Sequence, residues 1–400
     1  VPKIDPVNLA SPEFKANAYS IYARLRAEEP VLRTTLPDGR ALWLVTRYED
    51  CVAALKDERL VKDWMSLGLE LFGADNERML LERHMLNMDP PTHTRLRAIV
   101  NKAFTPRLVE GLRGRIQAIA DGLLDEVQGR GEMDVVADYA FPLPIIVIAE
   151  MLGVPAEDRY RIRAWSDAVV GGVPTREKME RVGTLLKEFR DYILAMVEER
   201  RQAPREDLLS ALVHVEEEGA GKLDEKELIS MVFLLLVAGH ETTVNLIANG
   251  ILALLTHPAE REKLRADPSL MKTAIEELLR YDSPVETATF RFAREPVELG
   301  GAAIPKGDVV VVVLGSANRD PELTPSPETL DLAREPNRHI AFGLGVHYCL
   351  GAPLARLEGQ IAIGTILRRM PDLALRVPLE SIQLRPSLLV RGPVALPVSF

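Results

Sequence analysis

One stretch limits the fold of this 400-residue chain more than any other, the nearly continuous apolar run from Leu228 to Leu255. Its length suits either a membrane span or a helix through a protein core. Near its middle stand His240, Glu241, Asn245 and Asn249, groups that a lipid-facing helix tolerates only at a cost. The run therefore reads as a long helix threaded through a protein core, with no membrane anchor. A chain of this length, 47% hydrophobic, can bury a large core. The polar, proline-spaced segment Val1 to Ser11 lacks the basic region and apolar run of a signal peptide. Cys51 and Cys349 are the only cysteines, which excludes a disulfide framework and points to a reducing cytoplasm. The net charge of -10 argues against nucleic-acid binding.

Helical spacing of apolar residues dominates the rest. It covers Ala18 to Ala27, Tyr48 to Lys56, Pro106 to Gln128, Glu157 to Val170, Arg176 to Arg201 and Pro353 to Arg369. Strand patterns are fewer. Val31 to Leu36 and Ala41 to Thr46 flank the turn Pro37-Asp38-Gly39. Val297 to Leu299, Ala302 to Ile304 and Val309 to Leu314 form a second group, and Ser381 to Phe400 reads as a further hairpin. Asn318 to Arg338, rich in proline and acids, has no period and reads as an ordered meander. With no linker or repeat, the expected architecture is one mainly α domain over 1–400 with small β-sheets.

The stretch Phe342-Gly343-Leu344-Gly345-Val346-His347-Tyr348-Cys349-Leu350-Gly351 carries the most chemistry. Glycines allow close backbone approach, so such a loop can bring a cysteine sulfur and several N–H groups against a flat ligand. A thiolate stays ionised in shelter that also offers donors. On the cysteine alone, a buried structural residue is the better reading. The whole pattern, Phe-Gly-x-Gly-x-His-x-Cys-x-Gly, resembles the heme-binding signature of the cytochrome P-450 superfamily in its soluble bacterial form. That resemblance implies heme b (iron protoporphyrin IX) with Cys349 as axial ligand, and places Phe342, Gly343 and Gly351 against it. An axial thiolate donates electron density that favours O–O cleavage. Cys51, in an amphipathic pattern, reads as a small buried hydrophobe.

On the long helix, Ala238-Gly239-His240-Glu241-Thr242-Thr243 puts an acid and hydroxyls where an apolar helix should have neither. A buried carboxylate is costly unless paired or functional, and Gly239 leaves space on one face. Taken alone, a satisfied polar patch explains this. Beside the cysteine loop it resembles the oxygen-activation motif of the same superfamily. There Thr242 would hydrogen-bond bound dioxygen, Glu241 would help relay protons, and Ala238 would lie over the heme. A zinc site does not fit, because Val244 stands where H-E-x-x-H needs histidine.

Glu277 and Arg280 share a helix face at i, i+3. The resemblance makes them the E-x-x-R element that supports the cysteine loop, with Arg334 as third partner. It also assigns His93, Arg97, Arg291 and His347 to the heme propionates, where charge-assisted bonds favour such groups. In the meander, Glu328-Thr329-Leu330 stands where relatives often carry an aromatic residue, which questions the packing there.

The reaction implied is O2-dependent hydroxylation or epoxidation of a lipophilic molecule by a cytoplasmic monomer. An external ferredoxin and its reductase would supply electrons, since no room remains for a fused reductase. Arg95, Lys102, Arg107, Arg113, Arg115, Arg356, Arg368 and Arg369 are candidates for a basic docking patch. Leu86, Val169, Leu235, Gly239, Val285, Ala288 and Leu389 are expected to line the substrate pocket. A peroxide-driven oxidase or decarboxylase, and a non-catalytic heme sensor, are the competing readings.

Overall fold

The computed structural model describes residues 9–36, 39–69, 80–158, 161–162, 164–165, 176–215 and 221–400, with side chains left out at 176–182. Helices dominate, and contacts divide the chain into two compact units. The first gathers Val1–Leu60, Arg113–Leu143 and Thr242–Phe400. The second gathers Val61–Leu112 and Pro144–Glu241.

The first unit holds the sheets. Val31–Thr35 pairs antiparallel with Ala41–Val45, in the register Val31 to Val45 and Thr35 to Ala41. Turn residues 37 and 38 lie outside the described residues. Val309–Val312 adds parallel to Ala41–Val45, Arg291–Ala293 adds antiparallel to that, and Leu60–Val61 ends the order. The all-valine, fully buried strand Val309–Val312 suits the centre of that sheet. Val310, Val312, Val45, Trp43, Leu55, Leu314 and Ile340 form its core, each worth about 1.5–3 kcal/mol on burial. Cys51 sits in that core with its Sγ 3.2 Å from the Val45 carbonyl, and burial pushes its thiol pKa well up. It is a packing residue, as its pattern suggested.

Three boundaries differ from the sequence reading. The pattern Pro106 to Gln128 is two helices, Pro106–Gly111 and Arg113–Gln128. Thr105 caps the first, and the Leu112 amide bonds back to Val109, tightening the last turn. Gly111 and Gly114 weaken the helix there while the apolar period runs on across the break. The run Val309 to Leu314 stops as strand at Val312, and Leu314–Ala317 is a helical turn. The carboxy-terminal hairpin is narrower, with Leu384 bridging Pro393. Pro397–Ser399 leaves it to pair with Glu132–Asp134 and Ala374–Leu375. The described part of Glu157 to Val170 holds buried Ile162 and Trp165, and the remainder lies outside the described residues.

In the second unit, Arg200 ties helix Arg176–Gln202 to the chain around it. Its guanidinium donates to Asp207 at 2.7 Å and to the Gly153 carbonyl at 2.9 Å. The long helix runs from Glu225 to Thr256. It is long and apolar enough to cross a membrane, yet 78% of its most apolar window is buried within the protein.

The meander from Asn318 to Arg338 is ordered turn structure with Leu330 buried. Without an aromatic residue it is held by backbone carbonyls instead. Thr329 O accepts from Arg280 at 3.1 Å and from Arg334 at 2.9 Å.

Candidate active site

The cysteine loop is a chain of backbone bonds leading into helix Ala352–Arg369. Gly343 N donates to Ile340 O at 2.9 Å, Tyr348 N to Gly345 O at 3.1 Å, and Cys349 N to Phe342 O at 3.0 Å. Gly345 has φ +72°, and a Cβ there would press on the Leu55 carbonyl at 3.3 Å, so only glycine fits without strain. His347 closes the short turn Gly345–His347. Cys349 is exposed, and a Cβ built on Gly351 would lie 3.9 Å from its Sγ. Half-buried Phe342 lies under the Arg356 guanidinium, 4.5 Å from its ring centre.

This loop is fastened from below. Asn318 Oδ1 accepts from Ile340 N at 2.7 Å, and Asn318 O accepts from Arg280 at 3.1 Å. Arg280 grips Glu277 with two bonds of 2.8 Å, and both are fully buried. Arg334 donates to both Glu277 oxygens at 3.1 Å. The Asp331 amide and Asn337 side chain complete the shell at 3.0 Å. Beside it, Glu276 pairs with Arg356 and His339. Burial would raise its pKa, but those two partners hold it down to about 2.

On the long helix every residue from Leu228 to Ile251 is buried except three. Ala238 is exposed, and Gly239 and Thr242 are half-buried. Ala238 and Thr242 stand four apart and share a face. Glu241 is 2% exposed, with a carboxylate oxygen 3.4 Å from His240 Nε2. The other ring nitrogen, Nδ1, lies 2.7 Å from the Leu236 carbonyl. A carbonyl only accepts, so Nδ1 carries a proton there. Nε2 is thus the ring nitrogen that faces the Glu241 carboxylate.

The long helix and the cysteine helix meet inside the first unit. A Cβ on Gly250 would strike Ile363 at 2.6 Å, and one on Gly359 would touch Leu246 at 3.0 Å. The two helices pack that closely because those side chains are absent. At this crossing lies Glu358, which the sequence reading missed. It is 1% exposed, and burial pushes its pKa up to about 8, with the Thr243 hydroxyl pulling only partly back. A carboxyl within the apolar positions Leu354, Leu357 and Ile361 was the available signal. Glu358 thus puts a buried carboxyl on the helix that begins after Cys349, near the residue next to Thr242.

The remaining candidates are distributed as follows. Arg291 is buried on strand Arg291–Ala293, opposite Val310. Val285, Ala288 and Leu389 are half-buried in the same unit. In the second unit, His93 and Arg97 lie on helix Thr92–Ala103, buried and half-buried respectively. Burial lowers the His93 pKa, and the Arg97 cation lowers it further. Leu235 is buried and Leu86 half-buried. Val169 lies outside the described residues.

The basic candidates are partly neutralised. Arg95 pairs with Glu227, Arg356 with Glu276, and Arg368 and Arg369 with Asp121.

Comparison with known proteins agrees with these features. The family model described as Cytochrome P450 matches residues 170–371. The chain is 47% identical over 395 residues to the polyketide biosynthesis cytochrome P450 PksS of Bacillus subtilis (strain 168), covering 97% of each. The solved structure of that relative superposes with a TM-score of 0.92 over 98% of both chains. Identity is 47% to the cytochrome P450 monooxygenase PikC of Streptomyces venezuelae, over 97% of this chain and 92% of that one. It is 46% to the vitamin D(3) 25-hydroxylase of Pseudonocardia autotrophica, over 98% and 96%.

Proposed function

The chain belongs to the cytochrome P450 family and is a monooxygenase of that family, and from this premise we propose that Cys349 holds heme b for the hydroxylation or epoxidation of a lipophilic secondary metabolite. The observation that carries the reading is the arrangement in the first unit. Exposed Cys349 stands just before a helix that crosses the long helix beside Thr242, and Thr242 is half-buried in an otherwise buried stretch of the long helix within that unit. An exposed sulfur donor before one helix and a hydroxyl at a break in the buried surface of the other suit a flat cofactor.

When bound, the heme supplies dioxygen activation. The protein's own residues hold the cofactor and manage protons around it. Arg291 and His347, with His93 and Arg97, are assigned to the propionates. With the cofactor in place, the Thr242 hydroxyl would be the group that donates a hydrogen bond and supplies a proton from the long helix. Buried Glu241, next to it in sequence, is assigned to help relay that proton.

Val285, Ala288 and Leu389, with Leu86, Leu235 and Gly239, are assigned to the substrate walls. Relatives named for polyketide biosynthesis and for vitamin D(3) hydroxylation support a large apolar substrate. We assign electrons to an external ferredoxin and its reductase in the cytoplasm. Some of the basic candidates are assigned to the docking surface for that acidic partner, so turnover with a ferredoxin should fall as salt rises. The family match begins in the second unit and ends in the first, which supports treating 1–400 as one functional domain.

The test is a Thr242→Ala variant supplied with substrate, reductant and O2. Product per O2 consumed should fall at least tenfold, with hydrogen peroxide released instead. Unchanged coupling, or full turnover by wild type on peroxide alone, would favour the peroxide-driven reading.

A further inference from the structure

The amino-terminal helix Pro12–Glu28 buries a polar face. Lys15, Tyr19, Tyr22 and Arg26 recur at spacings of three and four, so they share one side. Lys15 is 1% and Tyr22 2% exposed. Lys15 Nζ pairs with Glu286, which is itself fully buried. Tyr22 donates to the other Glu286 oxygen at 2.7 Å. Tyr19 donates to Asp282 at 2.8 Å, and Arg391 Nε donates to the same oxygen at 2.8 Å. Arg391 Nη1 returns to the Lys15 carbonyl at 2.8 Å. Arg26 donates to Ser316 O and Oγ at 2.9 Å.

The cluster grips two separate segments. Glu286 N donates to Leu389 O at 2.9 Å, Thr287 Oγ1 to Leu388 O at 3.1 Å, and Arg391 N to Pro284 O at 2.9 Å. Val285 and Val390 form a bridge between them. Asn249, from the long helix, donates to Arg391 O at 3.0 Å and Asp282 O at 3.2 Å. Along 285–288 the buried anchors Glu286 and Thr287 are flanked by half-buried Val285 and Ala288. The same stretches thus carry the anchors and the side chains assigned to the substrate walls.

A buried ion pair is a poor source of stability, since an apolar pair of similar size usually serves as well. What it adds is direction, because each bond fixes an angle and a partner. We propose that Lys15, Tyr22, Glu286 and Arg391 are positioning residues for substrate selectivity. Through them the amino-terminal helix sets where Val285, Ala288 and Leu389 stand. The proposal rests on assigning those three residues to the substrate pocket.

The test uses Lys15→Met/Glu286→Leu, which removes both charges together, and Tyr22→Phe as a milder variant that keeps the ion pair. In heme-loaded protein, amide exchange at Glu286, Thr287 and Arg391 should rise at least tenfold in the double variant and less in Tyr22→Phe. Exchange at Cys349 should not change. Spectral titration with imidazole, 4-phenylimidazole and clotrimazole should show the ratio of bulky-azole to imidazole Kd shifting at least fivefold. A shape change in the pocket moves that ratio, and a general loss of stability does not. Unchanged exchange with an unchanged ratio in a folded variant overturns the proposal. Should neither double variant nor Tyr22→Phe move the ratio while Val285→Phe and Leu389→Ala do, positioning fails and the pocket assignment stands. Should Val285→Phe and Leu389→Ala leave the ratio unmoved, the pocket assignment fails with it.

Discussion

Glu277 and Glu286 are both fully buried carboxylates paired with cations in the first unit, and each supports a loop. They are built differently. Glu277 draws Arg280 from its own helix, and its other donors come from the meander between Asp331 and Asn337. It faces two guanidiniums, an amide N–H and a side-chain amide. Glu286 takes one ammonium and one phenol, both from a helix near the other end of the chain. The first carboxylate is held by more donors than it needs. The second takes its direct ionic bond from Lys15, with Arg391 acting on it through the field. The difference separates a cluster that carries the cysteine loop from one that tunes how loops sit.

The largest effect is expected at Glu277→Gln. It strands Arg280 and Arg334 without a counter-charge, which costs about 3–5 kcal/mol. The denaturation midpoint should fall and heme content with it. Wild-type stability and heme content in that variant would erase the contrast. Lys15→Met should cost about 3 kcal/mol by removing the cation bonded to buried Glu286, and adding Glu286→Leu should restore most of it. A double variant as unstable as Glu277→Gln would make the two clusters equivalent.

A third buried carboxyl sharpens the comparison, because burial governs Glu358 and the Thr243 hydroxyl offsets it only in part. Its folded pKa of about 8 lies above the ordinary 4.5, so the folded chain binds a proton in that window that the unfolded chain lacks. Stability contributed by this group is full below about 4.5 and is lost as pH rises toward about 8. Between pH 6 and pH 8 the loss should be about 2 kcal/mol, and Glu358→Gln should flatten it, as read from urea midpoints. The smallest effect is expected at Glu328→Ala. Its pair with Arg319 is half open to water and should cost no more than about 1 kcal/mol in the same assay.

The same contrast explains what the sequence disclosed. The i, i+3 spacing of Glu277 and Arg280 is local, so it could be read directly, and the glycine pattern around Cys349 announces its own backbone. The long helix was legible from its apolar run, and its polar break from the cost of burying Glu241. The amino-terminal helix was recognisable as a helix but not in its role. Lys15, Tyr19, Tyr22 and Arg26 look like a solvated face until Glu286 and Asp282 arrive from far along the chain. Glu358 was hidden for a related reason, since one carboxyl in an amphipathic helix has no spacing of its own. The break at Leu112 went unseen because apolar periodicity continued through it.

The central claim is that Cys349 ligates the heme iron, and the reduced carbon monoxide complex tests it most directly. Wild-type protein should show the strongly red-shifted Soret band of thiolate ligation, and Cys349→Ala should lose it. A colourless wild-type protein, or a Cys349→Ala spectrum identical to wild type, would contradict the account.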